Sequence, residues 1–225
     1  MKRLPEPEEL MDDPAQARAY AEADFSEPNE RFLDLFADAL GGADFSGTAL
    51  DLGCGPGDIP IAFAARYPEA RIEVLDGAEA MLAIARGKLA AAPPELAARV
   101  DLHHALLPCD TLPGMAYAAV LSNSLLHHMA DPLDLWRTVR ACGRPGAHVL
   151  VMDLARPGSD IGVDALVEAY AIDAPDVLRR DFRNSLYAAY TPDEVADQLL
   201  AAGLDGLQVA MVSDRHLAVR GTLPG

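Results

Sequence analysis

The stretch ALDLGCGPGDIPIAF, Ala49–Phe63, decides the fold. An apolar run that reads as a short strand ends at Gly53. Gly55 and Gly57 follow at alternate positions, and Ile59–Arg66 then has the pattern of a helix. Asp58 is placed to cap that helix, with Pro60 in its first turn. Strand, glycine loop and helix in that order make the opening of a βαβ unit, whose loop backbone comes close to a ligand.

Outward from this stretch the alternation continues. RIEVLD (71–76) reads as a second strand and Ala78–Ala91 as a helix stopped by Pro93-Pro94. RVDLHHA (99–105) is a third strand. YAAVLSN (117–123) is a fourth, apolar enough to be covered on both faces. Asp131-Pro132 opens a helix with Leu135, Val139 and Cys142 as its buried stripe, and AHVLVMDL (147–154) is a fifth strand. Upstream, Phe32, Leu35, Phe36, Ala39 and Leu40 mark one helical face that starts near Pro28 and ends at Gly41-Gly42. Downstream, 160–190 reads as helical and irregular. Thr191, Pro192 and Glu194 then form a capping box for a helix ended by Gly203, and LQVAMV and HLAVRG face each other across a turn.

The expected fold class is therefore α/β: a Rossmann-like, mostly parallel sheet with helices on both faces and a C-terminal antiparallel hairpin strand. One domain is expected over 1–225, with an N-terminal helical lid (1–45), a ligand-binding core (46–155), and a helical insert with the hairpin (156–225).

The 225 residues are 51% hydrophobic and 24% charged, enough to bury a real core. Lys plus Arg is 18 against 35 Asp plus Glu, a net charge of −17 that argues against nucleic acid as a partner. MKRLPEPEEL lacks the apolar stretch of a signal peptide, and no run is apolar enough to span a bilayer. Cys54, Cys109 and Cys142 form no zinc or CxxC spacing, so reduced thiols in a cytoplasmic protein, a monomer or homodimer, are expected and no metal.

A dinucleotide loop wants a third glycine where Asp58 stands, and that carboxylate opposes a pyrophosphate while favouring a ligand of positive charge. Asp76 ends the second strand 25 residues after Asp51, close to the spacing of a ribose-binding acid. LDLGCGPGD, VLDGAEAMLAIAR, VLSNSLLHHMADP and RPGAHVLVMDLARP together resemble the successive motifs of class I S-adenosylmethionine-dependent methyltransferases, and LLHH…DP is similar to the branch that includes quinone and other small-molecule methyltransferases. The resemblance covers residues 46–155. It implies S-adenosylmethionine as cofactor, S-adenosylhomocysteine as product and a small-molecule acceptor. It implies that Asp51, Gly53, Gly55 and Gly57 line the methionine end, that Asp76 takes the ribose, and that Ser122 and Asn123 border the cofactor, with Cys54, Asp58, Gly77, Met81 and Leu106 also expected among the cofactor-binding residues. Leu106 stands where the family often has an adenine-binding acid, which leaves adenine to backbone and apolar contact or to Asp110. Ala118 stands where the fourth strand usually has an Asp, a change that affects packing.

Methyl transfer needs nucleophile and methyl carbon held close, aligned and dry, and a base only where the nucleophile must lose a proton. His127 and His128, just past the fourth strand, are the candidate catalytic residues; His103 and His104 point to opposite faces of a strand and read as structural, and Trp136 as packing. Tyr20, Phe25, Asn29, Arg156, Arg183 and Tyr187 are the candidate substrate contacts, among lid residues that also include Asp24, Tyr170, Asn184 and Tyr190. The competing readings are a non-catalytic cofactor-binding protein, a tRNA-modifying enzyme of the same fold, and a nicotinamide-dependent oxidoreductase.

Overall fold

The computed structural model describes residues 1–6, 10–109 and 116–225. Seven strands form one sheet: β1 (Gly47–Leu52), β2 (Ala70–Asp76), β3 (Val100–His104), β4 (Tyr117–Asn123), β5 (Gly143–Leu154), β6 (Gln208–Met211) and β7 (His216–Thr222). Their spatial order is β3-β2-β1-β4-β5-β7-β6. The first five are parallel, and β7 runs antiparallel to both β5 and β6. The order turns back on itself between β1 and β4, so the loops leaving those two strands open a crevice at the sheet's C-terminal edge.

The helices are α1 (Pro14–Glu22), α2 (Ser26–Ala39), α3 (Asp58–Arg66), α4 (Glu79–Ala91), α5 (Pro94–Ala97), α6 (Pro132–Cys142), α7 (Asp160–Ala171), α8 (Asp176–Ala188) and α9 (Pro192–Ala202). Alternate strand residues feed two cores. Leu50, Leu52, Val120, Val149 and Val151 pack with Trp136 and Val139 of α6 and Leu199 of α9. Ala49, Ile72, Leu121 and Leu150 pack with Phe32 and Phe36 of α2 and Phe63 of α3. Trp136 is fully buried with its indole N–H on Gln198, the packing role expected of it.

Several boundaries differ from the sequence reading. Asp58 is the first residue of α3 and not its cap; Gly57 takes the cap position with φ 85°, which glycine adopts without strain. Helix α2 begins at Ser26, ahead of Pro28. The irregular stretch after residue 160 resolves into two helices, α7 and α8, joined by their own small core around Val163, Val167 and Leu186. The expected capping box of α9 forms, and Gly203 closes that helix at φ 69°. Near the N-terminus, Asp13 caps α1, and α1 packs on α4 through the fully buried Ala17.

Candidate active site

The glycine loop is fastened to the end of β2. The N–H groups of Gly53 and Cys54 both donate to the Leu75 carbonyl, at 2.8 and 3.0 Å. Asp76 then clamps the loop from the side: one carboxylate oxygen accepts from the Gly55 N–H at 2.8 Å and the other from Ala78 at the start of α4, also at 2.8 Å. Burial pushes the Asp76 carboxyl up, and those two N–H donors act against it.

A cavity of about 1010 Å³ opens above the loop. Of the residues expected at the cofactor, Gly53, Gly55, Asp76, Gly77, Met81, Leu106 and Asn123 line it. Gly55 has φ 54° and nothing within 4 Å of the place a Cβ would take, so its open side faces the cavity. The Asn123 side-chain oxygen is buried with no hydrogen-bond partner.

The other anticipated loop residues stand behind this wall. Gly57 meets Ala85 of α4, 3.0 Å from a built Cβ, so its small size serves helix packing. Ser122 is fully buried and donates to the Leu52 carbonyl at 2.8 Å, tying β4 to β1. Asp58 pairs with Lys88 of α4 at 2.5 Å, which offsets the negative charge expected at the loop. The Cys54 thiol is buried and pushed up, first by burial and then by Asp51 and Asp76. Asp51, 2% exposed, is raised to about 7 by burial and by the neighbouring Asp76. Leu106 is an apolar part of the wall; Asp110 lies outside the described residues.

In the same cavity wall, a short 3-10 turn at Leu126–His128 carries both histidines. His127 Nδ1 lies 2.6 Å from an Asp153 oxygen, and both side chains are buried. Asp153 ends β5 and also accepts the Leu154 N–H at 2.6 Å. Burial disfavours the charged imidazole of His127, yet the charge and hydrogen bond of Asp153 outweigh it and hold the pKa above the ordinary value. The two imidazoles stack, centroids 4.0 Å apart.

Residues 50–149 match the family described as methyltransferase domain. Over that span, a little under half of its length, the chain is similar to methyltransferase domains. Its relatives include a demethylmenaquinone methyltransferase of Chlamydia trachomatis, 28% identical over 161 residues (70% of this chain, 67% of that protein). A trans-aconitate 2-methyltransferase of Variovorax paradoxus is 34% identical over 127 residues, 56% of this chain and 45% of that one. The fold is shared with a SAM-dependent methyltransferase of Aquifex aeolicus (TM-score 0.68, 17% identity, 94% of this chain and 98% of that chain). It is also shared with phosphoethanolamine N-methyltransferase 2 of Haemonchus contortus (TM-score 0.69, 14% identity, 94% of this chain and 58% of that chain).

Around the histidines, only some of the residues expected to touch substrate line the cavity. Tyr20 and Phe25 line the cavity with ring centroids 4.6 Å apart. The Tyr20 hydroxyl is pushed up to about 12, first by burial and then by the charges of Asp58, Asp153 and Asp76. Asn29, Arg156, Arg183 and Tyr187 do not line it. Arg156 is buried, bonding the Ala189 carbonyl and Glu194 and so holding α9 in place. Arg183 pairs with Asp164, and Tyr187 donates to Asp160 at 3.2 Å, so both join α8 to α7. Phe182 of the same helix, Tyr170 of α7 and Arg215 of the β6–β7 turn line the cavity instead. The Arg215 guanidinium lies 3.6 Å from the Tyr170 ring centroid and pairs with Glu27. Sequence reasoning took SDRH (213–216) as a plain turn. Asp153 was legible in principle, as an acid at the C-terminal end of a parallel strand beside the crevice.

Proposed function

We propose that the enzyme methylates a small molecule through a proton-bearing atom held at His127, with the cofactor along Gly53, Gly55, Asp76 and Asn123. The observation that carries this reading is the buried Asp153–His127 pair, with His127 in the wall of the cavity that Asp76 and the glycine loop also line. S-adenosylmethionine, when bound, supplies an electrophilic methyl carbon on its sulfonium. The residues present fit it: Gly55 leaves room for a ligand's backbone-close approach, and the unpartnered Asn123 oxygen can accept from a polar group. Each Asp76 oxygen takes one N–H and keeps capacity for a ribose hydroxyl. Asp51 stands behind the loop on the side assigned to the methionine moiety, where a cationic ligand would favour its charged form against burial.

Asp153 fixes the imidazole with Nδ1 inward, leaving Nε2 as the nitrogen that receives the acceptor's proton. Tyr20, Phe25, Met129 and Phe182 give the acceptor an apolar surround that excludes water. The acceptors in the relatives' names, demethylmenaquinone and trans-aconitate, are small molecules. Among the described residues no helix is long and apolar enough to cross a membrane. The net charge of −17 weighs against a tRNA substrate.

The test is incubation of metabolite extracts with isotopically labelled S-adenosylmethionine, then turnover of the labelled acceptor by variants. Asp153→Asn is expected to cut turnover about a hundredfold. Turnover by the parent enzyme rises with pH through a His127 pKa held above the ordinary value, and in Asp153→Asn that limb moves to lower pH because the charge that raised it is gone. An unchanged limb removes His127 from the mechanism. Tight S-adenosylhomocysteine binding with no labelled product from any extract favours the non-catalytic alternative.

A further inference from the structure

Asp153 accounts for one of the two stacked imidazoles. The other has a carboxylate of its own, from a distant part of the chain. Glu6 Oε2 lies 2.5 Å from His128 Nδ1, an ion-pair contact without the alignment of a hydrogen bond, and the Glu6 side chain is only 9% exposed. We infer that Glu6 is a positioning residue for His128, so that the amino-terminal segment completes the acceptor end of the active site. This rests on the reading that His127 and His128 face the acceptor.

Independent contacts fix the segment there. The Arg3 guanidinium donates to the carbonyls of His127 (2.9 Å), Met129 (3.3 Å) and Ala188 (2.5 Å), and lies 4.1 Å from the Tyr190 ring centroid. The Leu4 N–H donates to the Tyr187 carbonyl at 3.0 Å. The second Glu6 oxygen accepts from the Ser185 hydroxyl at 2.6 Å, which aims Oε2 at His128. Arg3 thus grips the backbone that carries the histidines, and Glu6 orients one ring. Burial raises the Glu6 carboxyl, but pairing with His128 wins and keeps it below the usual glutamate range. His127 Nδ1 is bonded to Asp153, His128 Nδ1 sits against Glu6, and both residues line the cavity. Such a pair suits an acceptor that carries a second hydrogen-bonding group beside the atom to be methylated.

A divalent cation is the competing occupant, since Glu6, His127 and His128 each bring one ligand atom within 4.8 Å of the others. Against it, His127 Nδ1 is already bonded to Asp153 and one Glu6 oxygen to Ser185.

Long-range proton–nitrogen spectra of histidine-labelled protein, saturated with S-adenosylhomocysteine, test the assignment. In the parent enzyme, neutral His128 is expected to carry its proton on Nδ1. Glu6→Gln should redistribute that proton and shift both His128 nitrogens, leave His127 in place, and keep S-adenosylhomocysteine affinity within about twofold; Glu6→Asp should restore the parent pattern in part. Turnover of the labelled acceptor should fall about tenfold in Glu6→Gln with KM for S-adenosylmethionine unchanged. Identical His128 shifts in the parent and Glu6→Gln overturn the inference. So does cobalt(II) binding with a ligand-field band that Glu6→Gln abolishes, which makes the cluster a metal site. Parent turnover in His128→Asn sinks the acceptor reading instead, and leaves the spectra to judge Glu6 alone.

Discussion

One carboxylate oxygen of Asp76 accepts the N–H of Gly55 at 2.8 Å, so the residue assigned to the ribose also sets the loop assigned to the methionine end. Its other oxygen holds the start of α4. A hydrogen bond to a charged group is worth about 1.5–3 kcal/mol. Asp76→Ala is therefore expected to weaken S-adenosylhomocysteine by at least tenfold, about 1.4 kcal/mol, by calorimetry. The parent should prefer the ribose over its 2′-deoxy analogue, and Asp76→Ala should lose that preference. Equal preference in both proteins would reduce Asp76 to a clamp on the loop.

Gly55 and Gly57 lie two residues apart and answer to different constraints. Gly55→Val projects into open space at the cavity wall and should abolish S-adenosylhomocysteine binding, with a melting-temperature loss limited to the strain of its positive φ. Gly57→Val drives a side chain into Ala85, 3.0 Å away, and should lower the melting temperature more. Thermal melts with and without ligand separate the two. Ligand-stabilised Gly55→Val protein contradicts the placement of the site.

His216 starts β7 at the cavity wall, and burial lowers its pKa to about 4. The fold therefore favours the neutral ring, whereas the unfolded chain takes up its proton near the ordinary value of about 6.5. The stability this residue contributes is fully present above pH ~6.5 and is lost as pH falls from there toward ~4, by about 3 kcal/mol at most. Denaturant titrations across that window should show a shallower acid loss in His216→Gln than in the parent. Parallel pH curves would mean that His216 is protonated in the folded protein.

Helix α1 stands as a lid by its placement. Gln16 donates to Asp181 of α8 at 2.8 Å, Asp12 accepts from Ala80 at the start of α4 at 3.0 Å, and Tyr20 faces the cavity between them. Hydrogen exchange over residues 14–22 should slow by about tenfold or more when S-adenosylhomocysteine is added, because the ligand adds surface for this helix to cover. Exchange that ignores the ligand would make α1 a fixed part of the wall.

The sequence by itself determined the sheet and the glycine loop that lines the cavity. Strand alternation, the glycine loop and Asp76 are local patterns: a strand, its turn and the next helix lie within 30 residues, and periodicity and backbone conformation decide them without distant partners. Tertiary structure alone decided the acceptor end. Asp153 meets His127 because β4 and β5 are neighbours in register, Glu6 meets His128 because the first residues cross the sheet's C-terminal edge, and Arg215 enters the cavity from the β6–β7 turn. Arg156, Arg183 and Tyr187 looked equally suited to bind substrate, and packing turned each of them to an inter-helix contact. A side chain's type is written in the sequence, but its partner is fixed by which elements pack together, and a buried charge such as that of Arg156 is compensated only there.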